Sequence, residues 1–212
     1  MERLSVSTQL PVKLVCLLAM ALLVPLAQAS ILGNGGSVPP SPLFPTGTLV
    51  AWTSGTITTA TLDDPYTQWV YSDPTNTWCA GCLDFVYQFT NNAGDANARF
   101  TMYNFAGFLV DAGTKPFGVH DPVSIDRSLW GPVISFNYST DEIVPGETTP
   151  LLVIETNARY FTTGYASVQD GTAGYGFAYA PAVPEPSSLA LMGGGLTVVG
   201  ALMRKFRIGK RV

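Results

Sequence analysis

Three groups of residues in this 212-residue chain have side chains suited to chemistry. Cys79-Ala80-Gly81-Cys82 pairs two thiols behind Trp78. His120-Asp121 sets the only histidine beside a carboxylate. Asp63-Asp64, Asp73 and the run Asn91-Asn92-Ala93-Gly94-Asp95-Ala96-Asn97 offer hard oxygen donors in acidic, turn-rich sequence. The thiols suit redox exchange, metal ligation or a structural disulfide. A redox Cys-x-x-Cys motif opens a helix whose N-terminus stabilises the thiolate, but Leu83–Phe89 reads as a strand. Zinc needs four ligands, and His120 alone does not complete the set. An exported setting favours a disulfide between Cys79 and Cys82 closing a tight turn. His120 and Asp121 are neighbours on extended chain and point to opposite sides, so they cannot work as base and orienter. No serine sits in a Gly-x-Ser-x-Gly elbow. Calcium takes about six to eight oxygen ligands, and no acidic stretch fits the EF-hand spacing. Asp63, Asp64 and Asp95 remain as weak calcium candidates, and no other cofactor is expected. These residues imply a protein that is not an enzyme.

The elements that must carry these groups are short runs of β-branched and aromatic residues between turn residues. Strands are expected at Leu49–Trp52, Thr56–Leu62, Trp69–Tyr71, Leu83–Thr90, Arg99–Phe105, Phe108–Asp111, Val123–Asp126, Val133–Tyr138, Leu151–Asn157, Ala166–Gln169 and Gly174–Ala180. Leu83, Phe85, Tyr87 and Phe89 alternate with Asp84, Val86 and Gln88, so the first set should face a core. Many strands without intervening helices imply an all-β, antiparallel β-sandwich, jelly-roll or immunoglobulin-like. Trp52, Trp69, Trp78 and Trp130 have two readings. Exposed rings would stack on sugars, whereas aromatics more often fill a sandwich core, and the core is the expected place for most of them.

Charge divides the chain. Ser30–Pro181 holds only Arg99, Lys115, Arg127 and Arg159 against thirteen Asp and Glu. So acidic a body repels phosphate, which argues against nucleic acid as a partner. The N-terminus reads as a secretory signal peptide over 1–29. A weakly basic start leads into the apolar run Leu14–Leu26, and Ala27-Gln28-Ala29 offers small residues to signal peptidase, with cleavage before Ser30. Residues 30–45, rich in Gly, Pro and Ser, read as a flexible leader, and 46–181 as the sandwich.

Residues 182–212 form a second signal. Val183-Pro184-Glu185-Pro186 precedes an apolar segment expected as a transmembrane helix over 187–203. The basic tail 204–212 follows, with Arg204, Lys205, Arg207, Lys210 and Arg211. The fifteen apolar residues Leu189–Met203 would rise roughly 22 Å as a helix against a hydrocarbon core of about 30 Å. Starting the helix at Ser187 and letting Arg204 and Lys205 snorkel makes a marginal span, weakened by Gly193-Gly194-Gly195. The positive tail should stay cytoplasmic and the acidic body outside.

This ordered set resembles the PEP-CTERM protein-sorting signal of exopolysaccharide-producing Gram-negative bacteria. The intervening sequence is more loosely similar to a recurrent cargo type of that family, through Cys79–Phe89 and Leu151–Asn157. The resemblance implies recognition by exosortase and processing near Pro184-Glu185-Pro186. It also implies delivery to the cell surface or the extracellular, biofilm matrix, and the short, glycine-interrupted apolar segment is expected to be a temporary inner-membrane anchor. The role expected there is structural or adhesive. The alternative is an extracellular polysaccharide-binding module, and a secreted hydrolase is the least favoured.

Overall fold

The computed structural model describes residues 31–115 and 120–183. The signal peptide with its Ala27, Ala29 and Ser30, the motif residues Pro184, Glu185 and Pro186, the apolar segment and the basic tail lie outside the described residues. All regular structure among the described residues is strand: β1 Ser37–Val38, β2 Thr48–Thr58, β3 Leu62–Asp73, β4 Cys82–Phe89, β5 Ala93–Gly94, β6 Arg99–Tyr103, β7 Val110–Lys115, β8 Ser124–Arg127, β9 Val133–Asn137, β10 Leu151–Thr156, β11 Tyr160–Asp170 and β12 Thr172–Ala182. They form two six-stranded antiparallel sheets packed as a sandwich. One runs β1-β8-β9-β6-β11-β12; the other runs β2-β3-β4-β10-β7, with β5 beside β3.

The core lies between the sheets and is built largely of phenylalanine, tyrosine and aliphatic side chains. Phe85, Tyr87 and Phe89 project from β4 as the alternation predicts, and Phe89 meets Phe100 of β6 at 4.8 Å between ring centres. The opposite face of β4 is covered as well, since Asp84 and Val86 are buried. Tryptophan does not follow the expectation of a core role. Trp52 and Trp130 are exposed, and Trp69 and Trp78 are half-buried. The core is filled by smaller rings, which pack between sheets only about 10 Å apart.

Two sequence-based boundaries fail for a shared reason. The expected strand Thr56–Leu62 contains a chain reversal, because Thr59 Oγ1 accepts the backbone N–H groups of Thr61 and Leu62. A threonine turn of this kind carries no Gly or Pro to mark it. The acidic pair Asp63-Asp64, read as part of a loop, therefore lies within the long strand β3.

The segment read as a flexible leader is docked on the sandwich. Ser37 and Val38 pair with β8, the Leu32 N–H donates to Val110 O, and Leu32 is fully buried. Buried Arg127 holds it there, donating to the carbonyls of Leu32, Phe105, Phe108 and Gly131 at 2.8–3.2 Å. The Leu32 carbonyl reaches Arg127 only in the docked conformation, which composition does not reveal.

At the corner where the sheets meet, β12 presents Gly174, Gly176, Ala178 and Ala180 inward. A Cβ on Gly176 would stand 2.7 Å from the Tyr66 ring, so glycine is required by close approach. Buried Gln68 reaches across the corner like a strand partner. Its Nε2 donates to Tyr179 O (2.8 Å) and its Oε1 accepts the Tyr179 N–H (2.6 Å).

Candidate functional site

Four regions of the sandwich bear on function. The first is an acidic row under the loop from Pro74 to Gly81. Antiparallel register sets Asp84 of β4 opposite Glu155 of β10, and Glu155 opposite Asp111 of β7. All three carboxylates are buried. Asn76 Nδ2 donates to Asp84 Oδ1 (2.7 Å), and the Thr77 N–H donates to Glu155 Oε2 (3.2 Å). Burial, then the neighbouring Glu155 and Asp73 charges, pushes the Asp84 carboxyl up to about 8. Burial and Glu155 push Asp111 up to about 6. Asp73 behaves oppositely. Its burial is outweighed by four hydrogen bonds from Thr46 and Thr75, which hold it well below the usual carboxylate range. Two neighbouring aspartates thus have opposed preferences, one for the proton and one for the charge. Sequence reasoning missed the row because Asp84 and Glu155 lie inside hydrophobic strands 71 residues apart; their alignment exists only through β-pairing.

The Cys79–Cys82 disulfide lies at the end of this loop, with the Cys82 N–H donating to Cys79 O at 3.0 Å. It closes a turn directly ahead of β4, the strand that the sequence places there.

The second region holds the calcium candidates. Asp64 projects to the core side of β3 and is fully buried; Asp63 is half-buried on the other face; Asp95 is exposed. The structure does not bring the three carboxylates together. It gathers Asp64 with Asn91 and Asn97, also fully buried. Among the described residues, no group of three or more His, Cys, Asp or Glu is placed to hold a metal.

The third region is His120. The structure does not pair it with Asp121, whose Oδ1 accepts from Thr114 Oγ1 (2.7 Å). Its Nδ1 lies 3.0 Å from Asp141 and its Nε2 3.6 Å from Glu147. The partners come from the loop between β9 and β10, which no local spacing reveals.

The fourth region is aromatic surface. Trp52 of β2 stands opposite Trp69 of β3, with Tyr71 two residues along on the same face. Trp69 and Tyr71 line a groove with Lys115, Leu151 and Pro45. On the other sheet, Tyr165 of β11 stands opposite Phe177 of β12, and Tyr103 packs against Tyr175 at 6.0 Å. Tyr165, Tyr175 and Phe177 are exposed.

Strand β12 ends at Ala182, and Val183 beyond it is exposed. Fold and strand order thus define a β-sandwich whose last strand runs directly into the Pro-Glu-Pro segment. Residues 182–207 match the family model of the PEP-CTERM protein-sorting motif, so this segment of the chain carries that sorting motif. That match covers the sorting segment and leaves the sandwich unassigned. No curated protein and no solved structure matches the chain.

Proposed function

We propose that this is an exported surface or extracellular-matrix protein with a non-enzymatic, structural or adhesive sandwich. A signal peptidase removes residues 1–29, the apolar segment holds the precursor in the inner membrane with the sandwich outside, and exosortase acts at Val183-Pro184-Glu185-Pro186. The observation that carries this reading is the position of the motif. The family match begins at residue 182, where β12 ends. Pro184 and Pro186 favour extended chain there, the form a processing cleft accepts. A cut in the motif leaves every strand in place. In the acidic row, Asp84 Oδ1 and Glu155 Oε2 each accept a hydrogen bond from the loop above them, which fits a structural task for these carboxylates. The test is Glu185→Ala followed by cell fractionation. The variant should accumulate as full-length precursor in the inner membrane; unchanged surface delivery would reject the exosortase step.

A second reading, binding of extracellular polysaccharide, is favoured by one observation. Trp52, 61% exposed, pairs in register with Trp69 beside a groove. Such rings offer flat apolar faces to sugars, with Lys115 at the margin. A glycan array with the full chain in detergent tests it: binding lost in Trp52→Ala supports the reading, and no binding by the parent chain removes it.

A further inference from the structure

The hydrogen-bond inventory around Asp64 is incomplete in a way that points to a ligand. Asn91 stands directly opposite Asp64, because the flanking bonds Thr90 N–H to Pro65 O (2.9 Å) and Asn92 N–H to Asp63 O (3.0 Å) fix the pairing. Asn97 Nδ2 donates to Asp64 Oδ1 at 2.6 Å. Asn91 Nδ2 donates to Asp95 O and Ile143 O, both at 2.8 Å. The Asn97 N–H donates to that same Ile143 carbonyl at 2.9 Å, which brings the two asparagines together. Each amide nitrogen is therefore committed, and the orientation of each amide is fixed.

Three oxygens remain without a donor: Asp64 Oδ2, Asn91 Oδ1 and Asn97 Oδ1. All three residues are 0% exposed. Buried acceptors without partners are costly, so a cluster of three in one hydrogen-bonded group requires a cause. A proton on Asp64 satisfies two of them at most, its own oxygen and one amide oxygen. A single cation bound by all three would satisfy them together. No Lys or Arg among the described residues lies within ion-pair distance of Asp63 or Asp64. Asp63 adds a second negative charge from the adjacent position, which suits a divalent ion. Carboxylate and amide oxygens, with no nitrogen or sulfur donor, select calcium over a transition metal.

We propose that Asp64, Asn91 and Asn97 supply three of the oxygen ligands of a calcium ion, with water or backbone carbonyls completing its shell, and that the ion fastens the 91–97 segment to β3. Asp95 contributes its backbone carbonyl to the frame and is not a ligand. The site is separate from the sorting motif, and its role is to lock one end of the sandwich after export into a calcium-containing medium. Affinity in the range of about 0.1–1 mM fits an extracellular site with a single direct carboxylate.

The test is thermal unfolding of the full chain in non-ionic detergent, followed by circular dichroism. EGTA is compared with a calcium titration, and magnesium and sodium serve as parallel arms. Calcium should raise Tm with saturation, and magnesium or sodium should not reproduce the shift. Asp64→Asn should lose the calcium shift, while Asp95→Asn should retain it. Asn97→Asp places a second carboxylate among the ligands and should tighten calcium binding about tenfold. This variant decides the matter if Asp64→Asn does not fold. The proposal is overturned if calcium leaves the parent Tm unchanged, if magnesium or sodium acts equally, if a folded Asp64→Asn keeps the full shift, or if Asn97→Asp gains no affinity. A proton or a water molecule would then fill the site.

Discussion

Asp84 and Glu155 stand opposite each other across β4 and β10, two buried carboxylates in paired register positions. Like charges so placed repel, and burial penalises each charge further. Asp84 therefore keeps its proton at neutral pH, with its pKa raised from 3.8 to about 8.

A raised folded-state pKa has a definite sign. Its stability contribution is fully present below the unfolded value near 3.8 and is lost as pH rises through about 8. Asp111 adds to the loss up to about 6. Asp73 works the other way, contributing stability that disappears as pH falls below the unfolded carboxylate range. Urea unfolding should give greatest stability in mildly acidic solution and a decline toward pH 8. One such group contributes a slope of about 1.4 kcal/mol per pH unit. Asp84→Asn should flatten that decline; a slope identical to the parent's would refute the assignment.

Gln68 bonds both the N–H and the carbonyl of Tyr179 across the sandwich corner, and Tyr87 Oη shares the carbonyl. Gln68→Leu fills similar space but leaves the Tyr179 N–H unmet, while Tyr87 Oη still donates to the Tyr179 carbonyl at 3.1 Å. The loss should be about 1–3 kcal/mol in denaturant unfolding. A loss near zero would show that the corner closes by packing of Tyr66 on Gly176 alone.

The Cys79–Cys82 bridge closes a very short loop, so it constrains the unfolded chain little. Cys79→Ser with Cys82→Ser should cost about 2 kcal/mol. The fold, read by circular dichroism, should persist in reductant. Collapse of the sandwich on reduction would mean that the bridge fixes the loop over Asp84 and Glu155.

Trp52 is exposed on an outer sheet face and contributes little to the core. Trp52→Ala should change unfolding free energy by no more than about 0.5 kcal/mol. A large loss would give Trp52 a structural role and weaken the case for a sugar-stacking surface.

The sheet architecture was legible in the sequence because β-branched and aromatic runs alternate between turns marked by Gly, Pro and Asn. Leu83–Phe89 shows this plainly. The sorting segment was legible because its three parts are contiguous. What stayed hidden depends on contacts between distant positions. Asp84 meets Glu155 only through strand pairing, Arg127 gains the Leu32 carbonyl only once the 31–45 segment docks, and His120 takes its partners from another loop. The Thr59–Thr61 turn was hidden by its strand-forming composition. Asp64 was visible as an oxygen donor, but its companions proved to be Asn91 and Asn97, because only pairing places Asn91 against Asp64.

The central claim is that the sandwich is cargo and that the segment after β12 is a removable sorting signal. Mass spectrometry of the C-terminal peptide from surface-localised protein tests it most directly. The account predicts a new C-terminus within or beside Val183-Pro184-Glu185-Pro186, with Leu189–Val212 missing. Surface protein that still carries Leu189–Val212 would contradict it.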